Sequence, residues 1–275
     1  MMFALAFPQI DPIAIEIGPI AIRWYALAYI AGLILGWRVC LRMTKLSPSK
    51  ALTTQVFDDF VFWATLGVLL GGRLGYVLFY NPVFFFENPG KIFMVWQGGM
   101  SFHGGMLGVV MAIILFAWKR GLPLFALSDL IAFVAPIGLF FGRIANFING
   151  ELYGRPTDVA WGVVFPGGGP LPRHPSQLYE AGMEGLILFI LLLLLVRSGS
   201  LAKPGVISGI FLAGYGLGRL IAEFFREPDA HIGFLAGGLT MGQILSLPML
   251  VCGLGLAVWS LRQQSASAPT SAHER

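Results

Sequence analysis

The sequence predicts an all-α membrane protein, a polytopic bundle of about seven transmembrane helices with a small irregular cap on its outer side. Three observations carry this prediction. Apolar residues make up 56% of the 275 residues and charged residues only 12%, about half of the ~25% with which a soluble globule covers itself. Mean hydropathy is +0.77. Apolar stretches close to the ~20 residues that cross a bilayer recur along the chain. A disordered protein is excluded, because disorder requires low hydrophobicity and high charge.

Seven candidate spans lie near 20–37, 57–80, 100–118, 122–142, 178–196, 205–222 and 235–260. The fifth is the clearest, with an unbroken apolar run from Leu186 to Val196, whereas Arg73 and Asp129 interrupt the second and fourth. Gly67, Gly71, Gly72 and Gly75 in one span, and Gly209, Gly214, Gly216 and Gly218 in another, are spaced to let helix backbones approach closely in lipid. Residues 1–19 lack the basic start of a signal peptide and carry Asp11 and Glu16. Residues 1–261 read as one transmembrane domain, and 262–275, rich in Ser, Ala, Pro and Thr, as a disordered tail. Cys40 and Cys252 fall inside apolar runs, so both read as packing residues rather than a disulfide framework or metal site.

The formal net charge of +4 would raise the question of nucleic acid in a soluble protein. Here the bases sort by membrane side, and no nucleic-acid partner is expected. Arg38, Arg42, Lys45, Lys50, Lys119, Arg120, Arg197, Lys203, Arg262 and Arg275 all fall at one set of ends if there are seven spans. The positive-inside rule puts those ends in the cytoplasm, with the N-terminus outside and the C-terminus inside. The other eight bases are Arg23, Arg73, Lys91, Arg143, Arg155, Arg173, Arg219 and Arg226. Their placement opposes the topology signal, and seven are arginine, whose planar fork suits phosphate or carboxylate.

Two outer segments are distinctive. Residues 80–99 gather Phe84, Phe85, Phe86, Phe93 and Trp96 around Pro82 and Pro89. They read as an interfacial segment, either an aromatic belt or a lateral access site for lipid. Residues 146–175 form the longest polar stretch, an irregular cap broken by Gly and Pro, with short strands around Trp161–Phe165.

Three clusters carry chemistry. His103 stands between the pairs Gly98-Gly99 and Gly104-Gly105, where backbone can approach a ligand closely. It is either a structural histidine or a proton acceptor near neutral pH. In Gly142 to Thr157, helical continuation would put Arg143, Asn146 and Gly150 on one face, with Arg143 free for a ligand or paired with Glu151. In Tyr215 to Asp229, Tyr215, Arg219, Glu223 and Arg226 or Glu227 form one polar stripe on an apolar helix. Ionisable residues at membrane depth face a cavity or one another, and an internal Arg219–Glu223 pair would satisfy that alone. Arg143 and Arg219 near one leaflet, with a histidine on a third helix, suit an anionic phosphate headgroup.

These motifs, with His174-Pro175-Ser176-Gln177-Leu178-Tyr179-Glu180, resemble those of the prolipoprotein diacylglyceryl transferases across essentially the whole chain. The run Gly142 to Thr157 is the most specific, and Ala145 stands where that signature often has glycine. The resemblance implies an enzyme of the bacterial inner membrane with a periplasmic cap. Its substrates would be phosphatidylglycerol and the signal peptide of a prolipoprotein. The diacylglyceryl group passes to the lipobox cysteine thiol and glycerol phosphate is released, the first step of lipoprotein maturation. It further implies Arg143 and Arg219 on the phosphate, His103 as base, Asn146 and Tyr25 orienting the headgroup, and Glu151 and Glu223 holding the arginines. Gly154 would permit a tight turn, and Tyr215 would line the substrate site. No metal or other cofactor is expected, since neither ligand-spaced Cys/His pairs nor a phosphate-binding glycine loop is present. The alternative is a membrane transporter or channel for an anionic or lipid substrate. Against it, the spans show no internal repeat and their number is odd.

Overall fold

The computed structural model describes residues 5–18, 20–228 and 235–267. Each of the seven expected segments is helical. The helices are α1 (Trp24–Met43), α2 (Thr54–Phe79), a short α3 (Pro82–Glu87), α4 (Phe102–Arg120) and α5 (Leu124–Ile148). Then α6 (Ser176–Glu180) runs through a π-helical stretch (Ala181–Ile187) into α7 (Leu188–Arg197), followed by α8 (Val206–Ala222) and α9 (Met241–Ser267). Among the described residues, five are long and apolar enough to cross a membrane: Trp24–Met43, Thr54–Phe79, Leu124–Ile148, Ser176–Arg197 and Met241–Gln263. Val206–Ala222 is a shorter apolar helix, and α4 carries His103, Lys119 and Arg120 at its two ends.

Boundaries differ from expectation for local reasons. The first helix starts at Trp24 because Ile13–Ile17 (β2) and Ile20–Arg23 (β3) pair as antiparallel strands. A second, parallel pair joins Leu5–Ala6 (β1) to Val163–Val164 (β4), inside the stretch expected to hold short strands. The last helix begins at Met241 and continues through Arg262 to Ser267, past the point where a disordered tail was expected. The remainder of that tail, from 268, and Asp229 of the third cluster lie outside the described residues. Cys40 is buried as a packing residue, whereas Cys252 is exposed on α9.

The chain packs as two compact units: Cys40–Ser128, and Met1–Val39 with Asp129–Arg275. The first is held by glycine-lined contact of α2 with α4. A Cβ at Gly67 would lie 2.6 Å from the Gly108 carbonyl oxygen, and one at Gly71 would lie 2.8 Å from the Gly108 Cα. Ser101 caps α4 by accepting from the Gly104 N–H at 3.2 Å. Arg73 is buried here, and among the described residues it makes no ion pair with a carboxylate. Its guanidinium donates to the carbonyls of Lys91 (2.6 Å), Ile92 (2.8 Å), Met94 (3.3 Å), Gly98 (2.6 Å) and Gly99 (3.0 Å). One interior cation thus satisfies the backbone of the aromatic segment, whose Phe86, Phe93 and Trp96 face outward.

In the second unit α8 and α9 pack through small residues: a Cβ at Gly209 would lie 2.6 Å from the Ala257 nitrogen. Asp129, 1% exposed, explains the other charge that interrupted a span. Its carboxylate accepts from the Gly205 and Ser208 N–H groups, each at 2.8 Å, and from the Ser208 hydroxyl at 2.6 Å. A buried acid is thereby paired with the otherwise unsatisfied donors at the start of α8.

Replacing Gly71 by valine is expected to cost about 1–3 kcal/mol by overpacking. A lower midpoint of thermal unfolding in detergent checks this, and an unchanged midpoint would contradict the close α2–α4 contact.

Candidate active site

Spacing of three and four along a helix keeps side chains on one face, and three segments of the second unit use that rule to converge. Helix α5 contributes Arg143 near its C-terminal end, and the α6–π–α7 helix contributes Glu180 and Glu184. Helix α8 and the turn after it contribute Tyr215, Arg219, Glu223 and Arg226. Glu180 and Glu184 are each 0% exposed. Glu180 Oε2 lies 2.7 Å from Arg143 Nη2 and 3.1 Å from Arg219 Nη1, and its Oε1 lies 3.4 Å from Arg226 Nη1. Arg143 Nη2 also reaches Glu184 Oε2 at 3.3 Å. Arg219 Nη2 pairs with Glu223 Oε1 one turn on, Arg226 Nε lies 3.9 Å from that same oxygen, and Thr240 donates to Glu223 Oε2 at 2.6 Å. Tyr215 is buried one turn before Arg219.

The π-helical stretch falls at the segment that presents both glutamates. Such stretches are rare and frequent at functional sites. Here its middle is packed tightly, since a Cβ at Gly185 would lie 2.7 Å from the Phe140 Cβ on α5.

The anticipated pairing of Arg143 with Glu151 is replaced by its contacts with Glu180 and Glu184. Glu151 instead accepts from Asn146 Nδ2 at 2.8 Å and from Asn149 Nδ2 at 3.4 Å. The reason is local. Helix α5 stops at Ile148, and Gly150 adopts φ +64°, so Gly150 leaves the face that Arg143 and Asn146 share. Leu152 follows with φ +58°, a left-handed conformation that a bulky side chain rarely takes. Its carbonyl is held by the Ser176 hydroxyl at 3.0 Å, and the Glu151 carbonyl by Gln177 Nε2 at 2.6 Å. The turn that aims Glu151 at Asn146 is therefore set by the start of α6.

In the cap, the Gly154 N–H donates to the His174 carbonyl at 2.9 Å. A Cβ at Gly154 would come 2.7 Å from the His174 Cβ, so close backbone approach accounts for glycine there. Arg155 ties the cap to the end of α8, donating to the Arg226 carbonyl at 2.8 Å and the Glu223 carbonyl at 3.1 Å. Arg173 pairs with Glu227 at 2.8 Å, donates to the Gly154 and Gly168 carbonyls, and stacks over the Tyr153 ring. Tyr179 accepts from Trp161 Nε1 at 2.7 Å and lies 3.1 Å from His174 Nδ1. Burial pushes the His174 imidazole below its ordinary value, opposed by Asp158.

Of the sequence-derived site residues, the structure brings Arg143, Arg219, Tyr215 and Glu223 into one cluster, and Asn146 and Glu151 into a second network at the end of α5. Gly154 sits in the cap. Tyr25 lies in the first turn of α1, its hydroxyl 3.3 Å from that of Tyr29. His103 is exposed in the first turn of α4, within the unit Cys40–Ser128. Of the seven arginines outside the ten-base set, Arg143, Arg219 and Arg226 meet buried carboxylates, while Arg73 and Arg155 bind backbone carbonyls. Sequence reasoning passed over Glu180 and Glu184 as site residues. The signal was present: two acids four apart at the start of an otherwise apolar span. Among the described residues, no group of three or more His, Cys, Asp or Glu could hold a metal ion.

The model of the family described as prolipoprotein diacylglyceryl transferase matches residues 12–259. The chain is 63% identical over 270 residues to the phosphatidylglycerol–prolipoprotein diacylglyceryl transferase of Paramagnetospirillum magneticum, covering 98% of this chain and 100% of the relative. It is 60% identical over 269 residues to the protein of the same name from Azospirillum brasilense, covering 96% and 100%. For that of Rhodopseudomonas palustris the identity is 56% over 277 residues, covering 98% and 96%.

Breaking a buried ion pair by removing one partner leaves an uncompensated charge and costs about 3–5 kcal/mol. Glu180→Ala is expected to destabilise the protein on that scale, read as a lower unfolding midpoint in detergent. A midpoint within experimental error of the wild type would mean the three arginines do not depend on Glu180.

Proposed function

The chain belongs to the prolipoprotein diacylglyceryl transferase family, and from that premise we propose that it is a transferase acting on phosphatidylglycerol and prolipoproteins. The diacylglyceryl group of the lipid moves to the thiol of the lipobox cysteine in the prolipoprotein signal peptide. A carbon–sulfur bond forms, the carbon–oxygen bond to phosphate breaks, and glycerol phosphate leaves with the electron pair. The nucleophile belongs to the substrate, and a thiol with an ordinary pKa of about 8.5 needs only modest help to ionise. The difficult part is the charge on the departing phosphate.

The observation that carries the reading is the convergence of Arg143 Nη2 and Arg219 Nη1 on one oxygen, Glu180 Oε2, at 2.7 and 3.1 Å. Two preorganised guanidinium groups that can share one carboxylate oxygen can also share a phosphate oxygen. Cations fixed in a dry site stabilise developing charge without reorganising. Arg143 and Arg219 therefore hold the phosphate, with Asn146 and Tyr25 orienting the headgroup and Tyr215 lining the site. Glu223 holds Arg219, Glu151 holds Asn146, and Gly154 allows the cap to close on its own backbone. His103 takes the thiol proton. The protein lies in the bacterial inner membrane with its N-terminus outside and its C-terminus in the cytoplasm, a reading supported by the ten bases that the sequence gathers on one side of seven expected spans. A transporter or channel is not favoured, since relatives spanning nearly the full chain carry a transferase's name.

Purified protein in detergent, given phosphatidylglycerol and a lipobox peptide, should yield the thioether peptide by mass; folded protein without product would refute the transferase reading. Arg143→Ala and Arg219→Ala should each lower turnover by at least about 10²–10³, the usual loss for one such donor. Near-normal rates in both variants would remove the phosphate assignment. His103→Gln should alter the pH–rate profile, and an unchanged profile would exclude it as the base.

A further inference from the structure

Glu184 is the least satisfied member of the buried charge cluster. Its Oε2 accepts from Arg143 at 3.3 Å, while its Oε1 is buried with no hydrogen-bond partner among the described residues. The groups facing it are Arg143 from α5, Glu180 from its own helix, and Arg219 and the Tyr215 phenol from α8. The wall beside it is tight: a Cβ at Gly218 would lie 3.4 Å from the Glu184 Cγ. By contrast Glu180 is shared by three arginines, and Glu223 is held by Arg219, Arg226 and Thr240.

The cluster holds three guanidinium groups, Arg143, Arg219 and Arg226, against three carboxylates, Glu180, Glu184 and Glu223. With every carboxylate ionised it is neutral and has no surplus positive charge for an anion. A phosphodiester brings one negative charge, and burying an uncompensated charge is very costly. Neutrality returns if one carboxylate takes a proton, and the carboxylate that loses least by it is the one with a single long contact and a bare oxygen. Resting on the phosphate reading above, we infer that binding of an anionic phosphodiester headgroup at Arg143 and Arg219 draws one proton from solvent onto Glu184. The linkage has a fixed sign: the lipid binds the protonated form, so affinity rises as pH falls. Where Glu184 is ionised in the free protein, affinity changes about tenfold per pH unit.

The test uses the full chain in detergent and short-chain phosphatidylglycerol, titrated calorimetrically in buffers of different ionisation heat. The dependence of the binding heat on buffer is expected to report close to one proton taken up per lipid. Short-chain phosphatidylcholine, whose headgroup is neutral overall, should give none. In Glu184→Gln, which imitates the protonated acid, uptake should vanish and affinity for phosphatidylglycerol should become independent of pH. Lipid binding without uptake in the wild type, or undiminished uptake in E184Q, overturns the inference. Absence of any phosphatidylglycerol binding by the folded wild type instead overturns the phosphate reading itself. Should E184Q fail to fold, Glu184→Asp keeps a carboxyl group on a shorter stem. It should retain uptake and shift the infrared C=O band of the protonated acid that lipid addition produces, and an unshifted band counts against Glu184.

Discussion

Away from bulk water an arginine stays charged and ordered only beside groups that compensate it, and Glu180 does this for three at once. Its two oxygens meet Arg143, Arg219 and Arg226, which arrive from α5, from α8 and from the turn after α8. Removing the carboxylate would leave three cations short of a partner in one place. Because the pairs reach across helices, the charge balance also determines how the ends of α5, α6 and α8 sit against one another. The same arrangement holds two guanidinium groups around one oxygen, so under the proposed phosphate reading one geometry would serve both stability and recognition.

Arginine has a second use in this molecule, as a donor to stray backbone carbonyls. Irregular backbone is tolerated near a membrane only where its polar groups are satisfied internally. Arg73 does this for residues 91–99, Arg173 for the cap, and Arg155 for the end of α8. Arg155 matters most to the site, because the carbonyls it binds belong to Glu223 and Arg226, two members of the charge cluster. The strained turn at Leu152, held by Ser176 and Gln177, similarly connects the cap to the helix that carries Glu180. Cap and cluster are therefore supported by the same short stretch, Ser176–Glu180.

Much of this was legible in the chain. Helices follow from lengths of apolar sequence, a one-dimensional property, so each of the seven expected segments is helical, five of them long and apolar enough to span, with differences at ends where a strand pair or a cap residue intervenes. Arg143, Arg219 and Glu223 were visible because charge in an apolar helix is costly and therefore purposeful. Glu180 and Glu184 carry the same signal but stand at the edge of a polar segment, where acids look ordinary. Pairing of Arg143 with Glu151 is one of the two readings that the run Gly142 to Thr157 allows. It failed because Gly150 and Leu152 turn the chain and send Glu151 to Asn146 instead.

By itself the sequence determined that the protein belongs in a membrane, where its helices lie, and which residue types are available to meet an anionic headgroup. Those follow from hydrophobicity, helical period and the cost of buried charge, all of which act locally. Only the tertiary structure decided which carboxylate answers which arginine. Ion pairing depends on distances between side chains from helices far apart in sequence, and 41 residues separate Arg143 from Glu184. The same holds for the bare oxygen of Glu184, since a missing partner becomes visible only when every neighbour has been placed.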